Sequence, residues 1–146
     1  GSLLPSTDGD AMSFFPFLKL YAAGLVVLFG MDLLWLGIVA KGFYQRQLGH
    51  LMRPDVQWLP AAAFYLIYVA AIVVIVVIPA LEKRSLGRAV LFGAFFGLAA
   101  YAAYDLTSLA LIRDYPLTAA LVDLVWGTTL SAVVAGSVYL VGQSAE

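Results

Sequence analysis

The stretch WLPAAAFYLIYVAAIVVIVVIPAL, residues 58–81, runs for 24 residues without one charged side chain. A bilayer core of about 30 Å calls for about 20 consecutive apolar residues in a helix, so this stretch predicts a membrane span. Three further runs of similar length, about 15–40, 89–112 and 116–141, repeat the pattern. The predicted fold is therefore an all-α membrane protein: four transmembrane helices in an antiparallel bundle, as a single domain over residues 12–146. A soluble helical domain with every helix buried is the alternative, but it needs far more polar surface than these runs provide.

Composition agrees. Hydrophobic residues make up 63% of the chain and charged residues 12%, against roughly 45–50% and 25% in a soluble domain; the mean hydropathy is +0.95. There are no cysteines and one histidine, His50, so thiolate chemistry is excluded and a histidine-built metal site is not expected. A net charge of -1 argues against nucleic-acid binding, which needs a basic face. The chain has no glycine-rich phosphate loop, metal-ligand cluster or Ser-His-Asp set, and no cofactor is expected. Residues 1–11, which begin Gly-Ser, are polar and read as a cleavage scar or disordered segment, with Met12 as the expected start. The run that follows is too long for a signal-peptide core of about 7–15 residues and reads as a retained anchor.

Punctuation separates the spans. Pro60 and Pro116 suit the first turn of a helix, where a missing N–H goes unused, and Pro79 falls near the end of the second run. Lys83, Arg84 and Arg88 interrupt the pattern between spans two and three, and Arg113 and Asp114 do so between three and four. The segment KGFYQRQLGHLMRPDVQ, residues 41–57, carries Tyr44, Leu48 and Leu51 at helical spacing. It reads either as a short amphipathic helix on the membrane surface or as a solvated loop, and Gly42, Gly49 and Pro54 limit any helix to a couple of turns. Gly93 and Gly97 form a small-xxx-small face, which packs against a helix of the same chain or joins a homodimer. Basic residues divide four against four between the two sides, and an orientation with both termini cytoplasmic is the working expectation.

The spans contain three acids. Asp32 lies in MDLLWLG, residues 31–37, Asp123 in VDLVWG, residues 122–127, and Asp105 in the third run. Counted from the expected span ends, all three fall about 10–12 Å from the same side of the bundle, at 1.5 Å per residue. Tyr65 and Tyr68 of span two reach that layer; Tyr101 and Ser108 share the helix face of Asp105, whereas Tyr104 and Thr107 point elsewhere. Trp35 and Trp126 each follow an aspartate by three residues, on the same face. Each aspartate costs about 2.5–3.5 kcal/mol at a helix centre, so the three cost up to roughly 8–10 kcal/mol unless partners compensate. Arg46, Arg113, Lys41 and His50 are the cations near enough to reach in from the loops, though His50 reads more simply as a surface residue. Trp58, Phe43, Tyr44 and Tyr115 read as interface anchors, and Lys19 as a snorkelling side chain.

The motifs D-x-L-W-L-G, K-G-F-Y, Y-D-L-T and V-D-x-x-W-G, spread over residues 18–140, resemble the bacterial membrane-protein family DUF 2177, a domain of unknown function. The resemblance implies four transmembrane helices in a bacterial inner membrane and supplies no activity. Members of such families often sit beside lipid-modification genes, which tilts the expected role toward lipid. The family's recurring polar positions correspond here to Asp32, Trp35, Lys41, Tyr44, Asp105, Asp123 and Trp126.

Three functions compete. In the first, an amphiphile or other hydrophobic small molecule binds with its head at the aspartates, among Trp35, Tyr65, Tyr68, Tyr101, Ser108 and Trp126, with Arg46 and Arg113 at the mouth. If chemistry follows, Asp105 with Tyr101 is the candidate proton donor and Asp32 or Asp123 the base. The second is a dimeric proton-coupled or cation transporter, and the third a helper subunit docking through Gly93 and Gly97. Against all three stands a purely structural role, in which the aspartates hold helices together by hydrogen bonds.

Overall fold

Each break between the apolar runs is closed by a backbone device that the local residues dictate. The computed structural model describes residues 10–39, 41–50 and 58–144. The expected N-terminal scar, through residue 9, and the loop residues Leu51, Arg53 and Pro54 lie outside the described residues, as do the side chains of Lys41, Tyr44 and Trp58. All regular structure among the described residues is helical. Helix α1, Asp10–Leu34, runs on into a π-helical segment, Trp35–Val39. Helix α2, Lys41–Leu48, follows. Helix α3, Trp58–Ala71, a π-helical segment, Ile72–Val77, and α4, Ile78–Glu82, form one rod. Helices α5, Leu86–Leu111, and α6, Leu117–Ser144, complete the chain. Four stretches are long and apolar enough to cross a membrane: Phe15–Gly37, Leu59–Glu82, Leu86–Leu111 and Leu117–Ser144.

Of the two readings of residues 41–57, the helical one holds for its first part, because α2 occupies Lys41–Leu48. The third span starts at Leu86 rather than 89 because Ser85 caps it, its hydroxyl accepting the Arg88 N–H at 3.0 Å. Arg88 is tolerated one turn inside the helix because its guanidinium lies 4.6 Å from the Phe92 ring centroid. The preceding rod ends in a Schellman motif: the Ser85 N–H reaches the Ala80 carbonyl and the Arg84 N–H the Leu81 carbonyl, both at 3.1 Å. Arg84 takes the left-handed conformation that motif requires, with φ of 52°. Pro79 cannot donate to the carbonyl of Ile75, and its ring crowds that oxygen. The preceding turn widens into the π-helical segment, which absorbs the misfit.

Helix α6 is the most enclosed of the four spans and the one around which the others pack. It carries a seam of small residues at four-residue intervals, Gly127, Ser131 and Ala135, and this seam receives the Gly93/Gly97 face of α5. A Cβ on Gly93 would fall 2.6 Å from the Ala135 Cβ, while one on Gly97 would overlap the Gly127 carbonyl oxygen and Ser131. One on Gly127 would strike the Tyr101 ring. Residue numbers rise along α5 as they fall along α6, so these two helices run in opposite directions. Gly24 brings α1 close to Val69 and Val138 in the same way. Between these contacts lies a dry core of Leu20, Leu28, Val69, Ile72, Val73, Leu130, Val134 and Val138, each at most 1% exposed.

Packing is uneven on the other side. The π-helical segment Ile72–Val77 and α4 touch α5, but α3 and α5 nowhere bring their Cα atoms within packing distance. The two helices diverge, leaving a wedge whose floor is Tyr68, its ring 5.6 Å from Phe96 and 6.2 Å from Tyr101.

The seam predicts a sharp contrast between two glycines. Gly97→Ala forces overpacking, worth about 1–3 kcal/mol, and should lower the thermal unfolding midpoint in detergent. Gly30→Ala meets no atom within 4 Å and should leave the midpoint unchanged or raise it, since alanine favours the helix. Equal midpoints for the two variants would refute the close α5–α6 contact.

Candidate functional site

Asp32 sits one turn before the π-helical segment of α1, and the bundle brings it a donor from each of two other helices. The Tyr65 hydroxyl of α3 donates to one carboxylate oxygen at 2.5 Å. The Trp126 indole N–H of α6 donates to the other at 3.2 Å. Asp32 is 9% exposed, so these bonds replace water that the bilayer would deny it. Trp35 then lies flat on Trp126, ring centroids 4.4 Å apart and planes 7° from parallel. The two D-x-x-W motifs thus close on each other, with the tryptophan of the second serving the aspartate of the first.

Asp105 and Asp123 face one another across the α5–α6 seam. Asp105 is fully buried, and neither of its carboxyl oxygens has a hydrogen-bond partner among the described residues. Ser108, one turn further along α5, is also buried. Tyr68 is held by a hydrogen bond between its hydroxyl and that of Ser131, behind the site. The structural reading of the aspartates as interhelical glue therefore describes Asp32 well and Asp105 poorly.

A cavity of about 430 Å³ opens among these groups, within the roughly 300–1,000 Å³ common for small-molecule sites. Asp32 and Asp123 supply its acids, and Trp35, Tyr65, Tyr101 and Trp126 line it as the helix faces predict. Phe64, Tyr104 and Tyr115 add three more rings, and Leu48 of α2 covers one end. Of the three aspartates expected to line one pocket, two do so. Asp105 stands behind Asp123, because the glycine seam draws α5 so near α6 that this face of α5 is interior.

Four expectations change at this point. Tyr104, expected to point away, lies on the flank of α5 that borders the wedge and so reaches the cavity. Tyr115, read as a surface anchor, is only 9% exposed and lines it too. Asp114, with a left-handed φ of 63°, and Pro116 fix the turn so that the Tyr115 ring folds inward. Burial first, then the neighbouring Tyr104, pushes the Tyr115 phenol up from the usual tyrosine range and keeps it a neutral hydrogen-bonding group. Arg46 and Arg113, placed at the mouth by sequence, are exposed and line no part of the cavity; the Arg46 guanidinium folds back over Gly42 of its own helix. His50 lies 3.3 Å from the Asp114 carbonyl oxygen, a hydrogen bond that ties the end of α2 to the α5–α6 turn.

Four membrane-length helices enclosing acids and aromatic rings define an α-helical integral membrane protein. Residues 17–140 match the family model described as a predicted membrane protein, DUF2177, and the chain belongs to that family. No curated protein and no solved structure matches it.

The Asp32 clamp has a measurable signature. Tyr65→Phe should destabilise the protein by about 1.5–3 kcal/mol, the range for a hydrogen bond to a charged group. In an Asp32→Asn background the same change should cost under about 0.5 kcal/mol, as expected for a pair that acts as a unit. Additive losses in chemical unfolding of the single and double variants would exclude the coupling.

Proposed function

We propose that the protein binds an amphiphile taken from the lipid phase of a bacterial inner membrane. The head group enters the cavity at Asp32 and Asp123, and the apolar body lies in the wedge between α3 and α5. The observation that carries this reading is the continuity of the space. A second opening of about 380 Å³, bounded by Phe64, Ala100, Tyr101 and Tyr104, shares Asp123 with the cavity and lies where α3 and α5 diverge. Polar groups thus sit at the inner end of a passage whose outer end is apolar, the gradient that an amphiphile matches. A membrane-embedded carboxylate is by default a functional group, and here two of them edge a space large enough for a ligand.

The passage is testable by blocking it. Ala100→Trp places an indole in the wedge, whereas Ala103→Trp, on the exposed face of the same helix, places one in lipid. After mild detergent extraction, native mass spectrometry of the unaltered protein and of Ala103→Trp should show a bound amphiphile. Ala100→Trp should lose at least about nine-tenths of it, equivalent to about 1.4 kcal/mol of affinity. Retention of the same ligand by both variants would rule out the wedge as its seat.

A further inference from the structure

We infer that the head group this cavity takes is an organic cation, an ammonium carried on an alkyl chain. The inference deepens the amphiphile reading above and rests on it. Its ground is the charge inventory of the walls. Asp32 and Asp123 line the space, and none of the lining residues is lysine, arginine or histidine. A fatty-acid carboxylate or a bare phosphate would enter a low-dielectric space already holding like charge, with no cation to meet it.

Asp105 points the same way from a second direction. It is fully buried directly behind Asp123, with both oxygens lacking a donor. A buried acceptor left in this state is costly, and a positive partner placed at Asp123 offsets that cost for both carboxyls. The protein supplies no such partner from its own loops, because the exposed Arg46 and Arg113 stay outside the walls. A metal ion is a poor fit: among the described residues no three acidic or histidine side chains are grouped closely enough to hold one.

The remaining wall separates an ammonium from a neutral hydroxyl head. Trp35, Tyr65, Tyr101, Tyr104 and Trp126 surround the acids with aromatic rings. Ring faces attract a cation through their quadrupole, most strongly when water is excluded, and they hold alkylated ammonium groups by several faces at once. An alcohol would satisfy a carboxylate but gain nothing from those faces.

Three probes with one chain length decide it: dodecyltrimethylammonium, dodecanol and dodecanoate, titrated into the protein in a neutral maltoside detergent and followed by fluorescence of the Trp35–Trp126 pair. The ammonium probe should bind at least about tenfold tighter than either of the others, and Asp123→Asn should remove that preference. Asp123→Asn is judged only if it elutes as a monodisperse species; otherwise the ranking of the probes on the unaltered protein decides. Equal or tighter binding of dodecanol or dodecanoate would overturn the cation while leaving the amphiphile reading in place. Absence of saturable binding by all three would overturn both. A last arm separates sources: phosphatidylethanolamine nanodiscs that weaken binding of the ammonium probe, relative to phosphatidylglycerol nanodiscs, identify a lipid head group as the natural ammonium. Equal binding in both identifies a free amphiphilic amine.

Discussion

The architecture depends on how one carboxylate is kept in a medium without water. Asp32 has both oxygens bonded, one to Tyr65 and one to Trp126, so three helices converge on a single side chain. Hydrocarbon offers those groups no alternative partner, and the convergence fixes which faces of α1, α3 and α6 look inward. The stacked indoles of Trp35 and Trp126 complete the clamp and form one wall of the cavity. Glue and site are therefore not rival descriptions: the bonds that hold Asp32 also shape the space beside it.

A second device holds the other half. Helix-to-helix attraction in a bilayer comes from close packing rather than from expulsion of water, and the α5–α6 seam achieves it with Gly93 and Gly97 against Gly127, Ser131 and Ala135. The same closeness seals Asp105 away from the cavity it was expected to line. Helix α3 has no comparable seam with α5, so the two diverge above Tyr68, and the wedge is the direct result of small residues being present on one pair of helices and missing from the other.

Much of this was legible in the residues. Hydropathy located the four spans to within a few positions, because a bilayer imposes length and apolarity with little latitude. Counting from span ends placed Asp32, Asp105 and Asp123 at one depth, and i+3 spacing put each tryptophan on its aspartate's face. Periodicity was silent on two matters. It assigns faces but not neighbours, so the small-residue stripe on α6, plain once seen, was not paired with Gly93 and Gly97 beforehand. It also assumes a regular helix and a splayed turn. The π-helical segment at Trp35–Val39 and the left-handed Asp114 break those assumptions, and they govern where Trp35 and Tyr115 end up. Arg46 and Arg113 were drawn inward by charge complementarity alone; long side chains beside water had no need to follow.

The clamp on Asp32 also imposes an order on biosynthesis. Its first partner, Tyr65, lies 33 residues downstream and its second, Trp126, 94 residues downstream. At about 5–20 residues per second, the ribosome delivers the second donor roughly 5–19 s after the aspartate. Through that interval the first helix must wait with an incompletely satisfied carboxylate, either shielded by the insertion machinery or left near the interface. The helix that reaches the membrane first is the one that depends most on the helix that arrives last.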